Sequence, residues 1–368
     1  MNGLHGIVFC YKNRSDLREL SELRTAASIP FGGRYRAVDF ALSNLMNAGV
    51  TDVGLVLHGR YQSVLDHVGS GKVWDMSRKR GGLRLFPPLN YREQSTAAPF
   101  RGKMEALGAV RSYLREIRQE HVVLMEGDLV SNLPLAEIYR EHLRSGADVT
   151  VVCGEGSAES EASFLCDADG RVREVLVDRN LDRGRKNLDV YLLSTELLCA
   201  LTDECCARDQ YSFCRDVLQG RVGELDIRAY PWSGYAAQIR SVKEYYDRSM
   251  QLLDPAVRRD LFCPDRPIRA KGADKSSTYL APGAVCRNSL VAEGCHIEGT
   301  VVDSILFPGV TVGRGAEVRG CILFKETQVS NGVTLSNVIA DKRVTVQTDR
   351  TLIAHASYPL VISKGSVI

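Results

Sequence analysis

Two ten-residue stretches near the C-terminus repeat each other, NSLVAEGCHI at 288–297 and DSILFPGVTV at 303–312. The pattern returns at 320–329 (GCILFKETQV) and at 336–346 (SNVIADKRVTV), so successive repeats begin 15 to 17 residues apart. Short β-branched segments separated by Gly and Asn turns at this period predict a parallel β-helix, in which each coil buries its inner side chains against the next. A series of β-hairpins is the alternative, but no two-residue Asn-Gly loop separates paired strands at the required distance.

A different pattern fills the first two-thirds of the chain. Apolar runs predict buried strands, and these runs are Leu4 to Phe9, Asp52 to Leu57, His121 to Met125 and Asp148 to Cys153. Apolar residues at three- and four-residue spacing predict helices, which cover Val38 to Ala48, Lys103 to Arg118 and Leu135 to Ser145. Alternating strands and helices predict an α/β domain with a mostly parallel, doubly wound sheet, and ligands of such sheets bind beyond the carboxyl ends of the strands.

The change of pattern predicts the domain boundaries. Residues 254–283 contain four prolines and several Arg and Lys residues without a steady period, which is typical of a linker. We therefore predict an α/β domain over 1–253, a linker over 254–283 and a β-helix over 284–368.

Composition limits the classes of function. The chain has 368 residues, of which 44% are hydrophobic and 25% are charged, as in a soluble globular protein of two or three domains. A formal net charge of +2 provides no broad basic surface for nucleic acid. Neither a membrane-spanning apolar segment nor a signal peptide is evident, so we expect a cytoplasmic protein without a membrane partner. The eleven cysteines are scattered, which favours reduced, buried thiols over disulfides or a metal site.

One segment is specific to a family. Residues 29–49 (IPFGGRYRAVDFALSNLMNAG) resemble the signature of the glucose-1-phosphate adenylyltransferases, also called ADP-glucose pyrophosphorylases. The resemblance continues at 100–102 (FRG), at 126–128 (EGD) and at 266–269 (RPIR), and then along the β-helix. It implies a mixed α/β nucleotidyltransferase domain followed by a left-handed β-helix. The family makes ADP-glucose and pyrophosphate from ATP and glucose 1-phosphate.

The chain departs from this family where the triphosphate should bind. Nucleotidyl transfer depends on positioning and charge neutralisation, so the family follows its first strand with a glycine-rich loop, a catalytic arginine and a lysine. Here the corresponding segment, VFCYKNRSDL at 8–17, has no glycine and no convincing counterpart of the arginine. The lysine of the family's R-A-K-P segment falls on Ala26.

The metal and sugar positions depart as well. Two family aspartates hold Mg²⁺, which needs anionic oxygen ligands; the resemblance places Asp128 at the first position and the neutral Gln238 at the second. Asp128 has a structural alternative, as a cap on the following loop through backbone amides. The family lysine of E-K-P fits Asp178-Arg179 only with a one-residue shift. The remaining positions that differ from the family's sugar contacts are Phe100, Lys103, Leu165 and Leu188.

A retained signature with a degraded active site is typical of the family's regulatory D-type subunits. The resemblance therefore implies a catalytically impaired subunit that modulates a catalytic partner subunit in a hetero-oligomer, expected to be a tetramer. We expect no metal or cofactor in this chain alone and Mg²⁺ in the catalytic partner. Arg34 and Arg36 are candidate contacts for a small phosphorylated effector, since paired guanidiniums suit phosphate groups, although pairing with an acid such as Asp39 is the alternative.

Two other hypotheses stay open. The chain could be an active nucleotidyltransferase in which Lys12, Arg14 or Lys103 replaces the missing groups, but these residues could also be solvated loop charges. A β-helix acyltransferase would need a general base such as His296 or His355, and four coils are few for that activity.

Overall fold

The computed structural model of the chain describes residues 3–12, 14–79, 81–88, 100–154, 161–177, 184–272 and 274–368. Contacts divide the chain into two compact units. The first, the α/β unit, consists of residues 1–13, 38–238 and 261–269; the second, the β-helix unit, consists of residues 14–37, 239–260 and 270–368. The chain therefore crosses between the units several times, whereas the predicted boundaries divide it into consecutive pieces.

The elements that precede the β-helix alternate between short strands and helices. The strands are β1 (Leu4–Cys10), β2 (Pro30–Phe31), β3 (Tyr35–Arg36), β4 (Val53–Leu57), β5 (Leu83–Phe86), β6 (His121–Glu126), β7 (Leu129–Ser131), β8 (Val149–Gly154), β9 (Ala162–Cys166), β10 (Val172–Val177), β11 (Arg185–Ser194), β12 (Ile227–Trp232) and β13 (Ala236–Gln238). The α-helices are α1 (Ala37–Asn47), α2 (Gln62–Val68), α3 (Lys103–Ala109), α4 (Arg111–Leu114), α5 (Leu135–Ser145), α6 (Thr195–Ala207), α7 (Val242–Met250) and α8 (Pro255–Leu261). The 3₁₀ or π segments are Ser15–Ser21, Ala26–Ser28, Lys72–Trp74, Phe213–Gln219 and Gln251–Leu253.

The sheet of the α/β unit is mixed. Its strands follow the order β10-β9-β11-β6-β1-β4-β5, and β8 pairs with both β11 and β12. Strands β6, β1, β4 and β5 are parallel, whereas β11 runs antiparallel to β6, β8 and β9. The α/β class is thus confirmed. The parallel strands point their carboxyl ends to one edge, where ligands of such sheets bind.

The predicted strands and two of the three predicted helices are confirmed to within one or two residues. The single helix predicted over Lys103 to Arg118 is wrong. Its backbone leaves the helical region at Val110 (φ −114°, ψ 19°), where α3 ends and α4 begins. Val110 is β-branched and loses side-chain freedom in a helix, and its amide bonds to the Leu107 carbonyl in a tighter turn.

The predicted β-helix is confirmed and begins at Tyr279, before the predicted residue 284. Its strands are β14 (Tyr279–Leu280), β15 (Val285–Arg287), β16 (Leu290–Val291), β17 (His296–Ile297), β18 (Thr300–Val302), β19 (Ile305–Leu306), β20 (Thr311–Val312), β21 (Glu317–Arg319), β22 (Ile322–Leu323), β23 (Gln328–Val329), β24 (Thr334–Ser336), β25 (Val338–Ala340), β26 (Thr345–Val346), β27 (Thr351–Ile353) and β28 (Leu360–Ile362). They form three parallel five-stranded sheets, one for each side of the coil.

The inner side chains explain the repeat period. Ile297, Val312, Val329 and Val346 face one another in register on successive coils, and each is at least 98% buried. Each such side chain contributes about 1.5 to 3 kcal/mol of transfer free energy. Further buried residues between the strands, such as Val310, Ala316 and Cys321, complete the apolar inside of each coil.

The stretch that we predicted as a linker contains the helix α8 and an anchored segment. The side-chain amide of Asn132 donates to the Leu261 carbonyl at 2.9 Å and to the Arg266 carbonyl at 2.8 Å. These bonds place residues 261–269 in the α/β unit.

Candidate functional site

Two residues of the family-like segment hold the α/β unit together. The Asn44 amide donates to the Ser131 carbonyl at 2.9 Å, and its oxygen accepts from the Leu133 amide at 3.1 Å. The Ser43 hydroxyl oxygen accepts from the backbone amide of Arg269 at 2.9 Å and from the Trp74 indole at 3.2 Å. Ser43 and Asn44 of this segment therefore serve the scaffold, since both are fully buried and hydrogen-bonded to protein.

Four charged residues meet at the carboxyl edge of the sheet, and we call them the lysine–carboxylate cluster: Lys12, Lys103, Glu126 and Asp189. Lys103 donates to Glu126, and also to Asp189 Oδ1 at 3.2 Å. The Lys12 ammonium lies 3.2 Å from Glu126 Oε1 and 3.8 Å from Asp189 Oδ2. A third carboxylate, of Glu161, lies 3.6 Å from Lys12 at the exposed side. Each lysine thus bridges the same two buried carboxylates.

Local backbone geometry places Lys103 in the cluster. Lys103 is the first residue of α3, and its predecessor Gly102 approaches the Tyr211 carbonyl so closely that a Cβ at 102 would lie 2.2 Å from that oxygen. The same carbonyl accepts a hydrogen bond from the Met104 amide at 3.0 Å. Gly102 therefore permits the contact that fixes the start of α3 and the direction of Lys103.

Asp189 enters the cluster through an irregularity in β11. The pairing of β11 with β8 shifts register between Asn187 and Tyr191, and Asp189 has a left-handed φ of 59°. Its Oδ1 accepts from the Tyr191 hydroxyl at 2.9 Å, and its Oδ2 accepts from the Gln238 side-chain amide at 3.1 Å. A bulge of this kind re-aims a side chain, and here it brings a carboxylate to both lysines.

The charges in the cluster stabilise one another. Burial alone would lower the pKa of Lys103, but Asp189 and Glu126 outweigh it and hold that pKa well above its ordinary range. Lys12 behaves in the same way, because Glu126 and Asp189 raise its pKa against the effect of burial. Burial raises the pKa of Glu126, although the two lysines counteract it. We conclude that both lysines are ammonium ions at neutral pH.

These residues do not fit the Mg²⁺ ion that the family resemblance implies. A divalent cation needs anionic oxygens that are free to coordinate it. Here Glu126 Oε1 and both oxygens of Asp189 already contact ammonium groups. At the predicted second ligand position, Gln238 presents a neutral amide that donates to Asp189. Asp128 is 98% buried between β6 and β7. Within the described part of the chain, no group of three or more His, Cys, Asp and Glu side chains has the arrangement of a metal site.

The three predicted sugar-side positions other than Lys103 carry apolar side chains. The Phe100 ring packs edge-on against Tyr11 with centroids 5.4 Å apart. Leu188 is buried against Gly154, where a Cβ would lie 3.0 Å from the leucine side chain. Leu165 is partly buried on β9. None of these three side chains can donate hydrogen bonds to a sugar.

Basic residues gather in the β-helix unit, and we call them the basic cluster: Arg24, Arg36, Lys342 and Lys364. Arg24 Nη2 donates to both oxygens of Asp341, at 2.9 and 2.7 Å, and both side chains are buried. The pKa of Lys342 is lowered to about 7, first by burial and then by the charges of Arg36, Arg24 and Lys364, which together outweigh the opposite effect of Asp341. Among the described residues, the buried Nη1 of Arg24 has no hydrogen-bond partner.

The other predicted residues of this unit are placed differently. Ala26 is fully buried in a 3₁₀ turn and provides no cation. Arg34 is exposed, and its guanidinium lies 5.6 Å from the Tyr35 ring centroid. His296 and His355 are exposed and contact Glu298 at 3.1 Å and Ser357 at 2.6 Å.

Two further expectations concern other parts of the chain. Asp39, the acid that we considered as a partner for Arg34 and Arg36, contacts His67 Nε2 at 2.5 Å. Asp178 and Arg179 lie outside the described residues. Among the described helices, none combines the length and the apolar character that crossing a membrane requires.

Comparison with known proteins agrees with both folds. A nucleotidyl transferase family model matches residues 15–172, and a GlmU-like C-terminal hexapeptide model matches residues 278–354. The second match identifies the three-sided coil as a left-handed β-helix of hexapeptide repeats.

Curated relatives extend the similarity over the whole chain. The glycogen biosynthesis protein GlgD of Bacillus subtilis is 32% identical over 367 residues, which cover 100% of this chain and 97% of that protein. GlgD of Geobacillus stearothermophilus is 34% identical over 86% of this chain and 83% of its own length. The glucose-1-phosphate adenylyltransferase of the same organism is 31% identical over 83% of this chain and 80% of its own length. The chain therefore belongs to the glucose-1-phosphate adenylyltransferase family, and within it is similar to GlgD over its entire length.

Proposed function

We propose that this chain is a catalytically impaired, regulatory subunit that assembles with a catalytic glucose-1-phosphate adenylyltransferase in glycogen biosynthesis. The names of its relatives suggest the pathway and the reaction. The state of its own site suggests that catalysis belongs to the partner and regulation to this chain. In this proposal the catalytic partner carries Mg²⁺ and forms ADP-glucose, and this chain adjusts how the partner responds to substrates and effectors.

The lysine–carboxylate cluster is the observation that carries the proposal. Transfer of an adenylyl group requires positive charge aimed at the phosphates in the transition state. Lys12 and Lys103 face three carboxylates, those of Glu126, Asp189 and Glu161. The positive charge of the two lysines is therefore neutralised by carboxylates of the same chain. A triphosphate would have to compete with these carboxylates for the two ammonium groups.

The basic cluster supports a regulatory role. Four basic residues gather there with one carboxylate, that of Asp341, and burial together with neighbouring positive charge lowers the pKa of Lys342 to about 7. An anion would relieve this repulsion and would satisfy donors such as Arg24 Nη1. We propose a small phosphorylated effector as the ligand, with Arg36 as a contact. Arg34, exposed and stacked on Tyr35, contributes less.

An active nucleotidyltransferase with substitute residues is the second candidate. It requires Lys12 or Lys103 to act on the substrate phosphates. The contacts of both ammonium groups with Glu126 and Asp189 count against it, because those contacts would have to break first.

A two-chain experiment separates the candidates. The chain is purified alone, and a catalytic homologue is purified alone and co-expressed with it; each sample is assayed in both reaction directions at saturating Mg²⁺. The proposal expects negligible turnover by this chain alone and altered kinetics of the partner in the mixture. Turnover by the isolated chain near the rate of the homologue would support the second candidate and overturn the first.

A further inference from the structure

We infer that the ammonium groups of Lys12 and Lys103 serve the buried Glu126–Asp189 carboxylate pair in place of a divalent cation, so that this chain carries its own permanent counter-ions. The inference deepens the proposed function, on which it rests for the identity of the site. Loss of the active-site residues alone does not explain why two lysines contact buried carboxylates here, and the inference gives these lysines a role.

The geometry is that of bridging cations. Lys103 contacts Glu126 and Asp189 Oδ1, while Lys12 contacts the same Glu126 oxygen and Asp189 Oδ2. The two oxygens of Asp189 thus each face a different ammonium group. A metal ion shared by two carboxylates holds them together by the same arrangement of charge.

Burial makes such counter-ions necessary. The side chains of Glu126 and Asp189 are each 1% exposed. An isolated carboxylate at that depth would lose several kcal/mol of solvation, and two of them side by side would also repel each other. The pair can remain ionised only with cations in contact, and the two lysines provide them at every metal concentration.

The same contacts exclude a metal. A divalent ion coordinated by Glu126 and Asp189 would enter a space that already contains two ammonium groups, and it would need oxygen distances near 2.0 to 2.1 Å for Mg²⁺. Its binding would have to displace a lysine that is covalently tethered at the site. Lys103 lies on the first turn of α3 and is 94% buried, so its displacement would disturb the core around it.

Removal of Lys103 should therefore convert the cluster into a cation site. In Lys103→Met, the side chain keeps much of its volume and loses its charge, which leaves Glu126 and Asp189 with only the partly exposed Lys12. We expect the chain to become less stable and to gain affinity for a divalent ion, because that ion replaces the lost charge.

The experiment measures Mn²⁺ binding by electron paramagnetic resonance of the free ion, together with thermal unfolding, on this chain without a partner. The variants are wild type, Lys103→Met, Lys103→Met with Asp189→Asn, and Lys72→Met as a control at an exposed lysine of the same unit. We expect K103M to unfold about 5 to 15 °C below wild type, to bind one Mn²⁺ at least about tenfold more tightly, and to recover several degrees at saturating Mn²⁺. The double variant should regain stability without gaining Mn²⁺ affinity, and K72M should match wild type.

Three results would overturn the inference. They are a wild-type chain that binds Mn²⁺ as tightly as K103M, a K103M chain that unfolds at the wild-type temperature, and a double variant that binds Mn²⁺ like K103M. If K103M does not fold, Lys12→Met serves instead, because Lys12 is 20% exposed and its removal should destabilise the chain less. We expect the same gain in Mn²⁺ affinity for Lys12→Met. The absence of that gain would count against the inference. The proposed function is tested separately, by assembly of unmodified chains with a catalytic partner. A negative result in the Mn²⁺ experiment would therefore not decide the proposed function.

Discussion

The side-chain amide of Gln238 donates a hydrogen bond to Asp189 Oδ2 at 3.1 Å, at the position where the family resemblance expects a second metal-binding aspartate. Replacing Gln238 with Asp would place a second carboxylate beside a buried one and remove the donor. We predict that Gln238→Asp recovers little adenylyl transfer, since the missing groups act as one unit, and lowers the free energy of unfolding by about 1 to 3 kcal/mol.

Urea unfolding and an ADP-glucose synthesis assay measure the two effects. Gln238→Asn is the control, because it keeps a neutral amide on a shorter side chain. A Gln238→Asp chain with activity near that of a catalytic homologue would contradict the prediction, and so would a gain in stability.

Activity of the isolated chain is a separate prediction. Loss of one positioned electrostatic group commonly lowers the rate about a hundredfold or more, and here the loop, a lysine and a metal ligand are missing together. We expect turnover at least about a thousandfold below that of a catalytic homologue at saturating Mg²⁺. A radiometric assay with glucose 1-phosphate and ATP measures it, with freshly purified homologue as the positive control.

Assembly should change the kinetics of the partner. We expect the co-expressed pair to elute as one species in size-exclusion chromatography with light scattering. The coupling free energy should be about 1 to 3 kcal/mol, which appears as a several-fold change in the substrate affinity or effector response of the partner. Separate elution together with unchanged kinetics would end the regulatory proposal.

Sulfate should stabilise the chain in a pH-dependent manner through Lys342. Because folding lowers the pKa of this lysine from about 10.4 to about 7, the unfolded chain binds more protons between these values, and stability rises with pH in that window. The cost of the buried charge is fully present below pH 7. An anion offsets this cost, so we expect sulfate to raise the unfolding temperature more at pH 6 than at pH 9.

Thermal unfolding in sulfate and in chloride of matched ionic strength tests this expectation. In Lys342→Met the pH dependence of the sulfate effect should largely disappear. An equal sulfate effect in wild type and in Lys342→Met would show that the basic cluster does not bind the anion.

Asn44 gives a prediction about the scaffold. Asn44→Ala removes the hydrogen bonds to Ser131 and Leu133 and leaves two buried backbone groups unsatisfied. We expect a loss of about 2 to 4 kcal/mol in the free energy of unfolding, measured with urea. Asn47→Ala is the control, because the Asn47 side chain donates a single, exposed hydrogen bond to the Pro267 carbonyl. This substitution should lower the free energy of unfolding by less than about 1 kcal/mol.

The sequence predicted the fold well because both folds follow from burial. A run such as Leu4 to Phe9 is buried on both faces whichever way its neighbours run, so the run identifies a strand but not its direction. The antiparallel course of β11 was therefore not predictable from hydrophobicity. The β-helix was more fully specified, because its inward apolar residues repeat with a nearly constant period.

The candidate site was only half predicted. Comparison with the family pointed to Lys103 and Gln238 as losses, and it did not reveal that these residues contact the same carboxylate. Asp189 was missed, although one signal was present: it is an acidic residue within the apolar run of β11. Its position depends on a bulge and a left-handed backbone, which no local pattern specifies.

The five stacked strands on each side of the β-helix also determine its length. Neighbouring strands in a sheet are about 4.8 Å apart, so the first and last coils lie about 19 Å from each other. Inserting or deleting one repeat would change this length by one strand spacing and leave every other coil with the same neighbours. Any protein that binds both end coils at once must therefore match a length that is counted in whole repeats of this sequence.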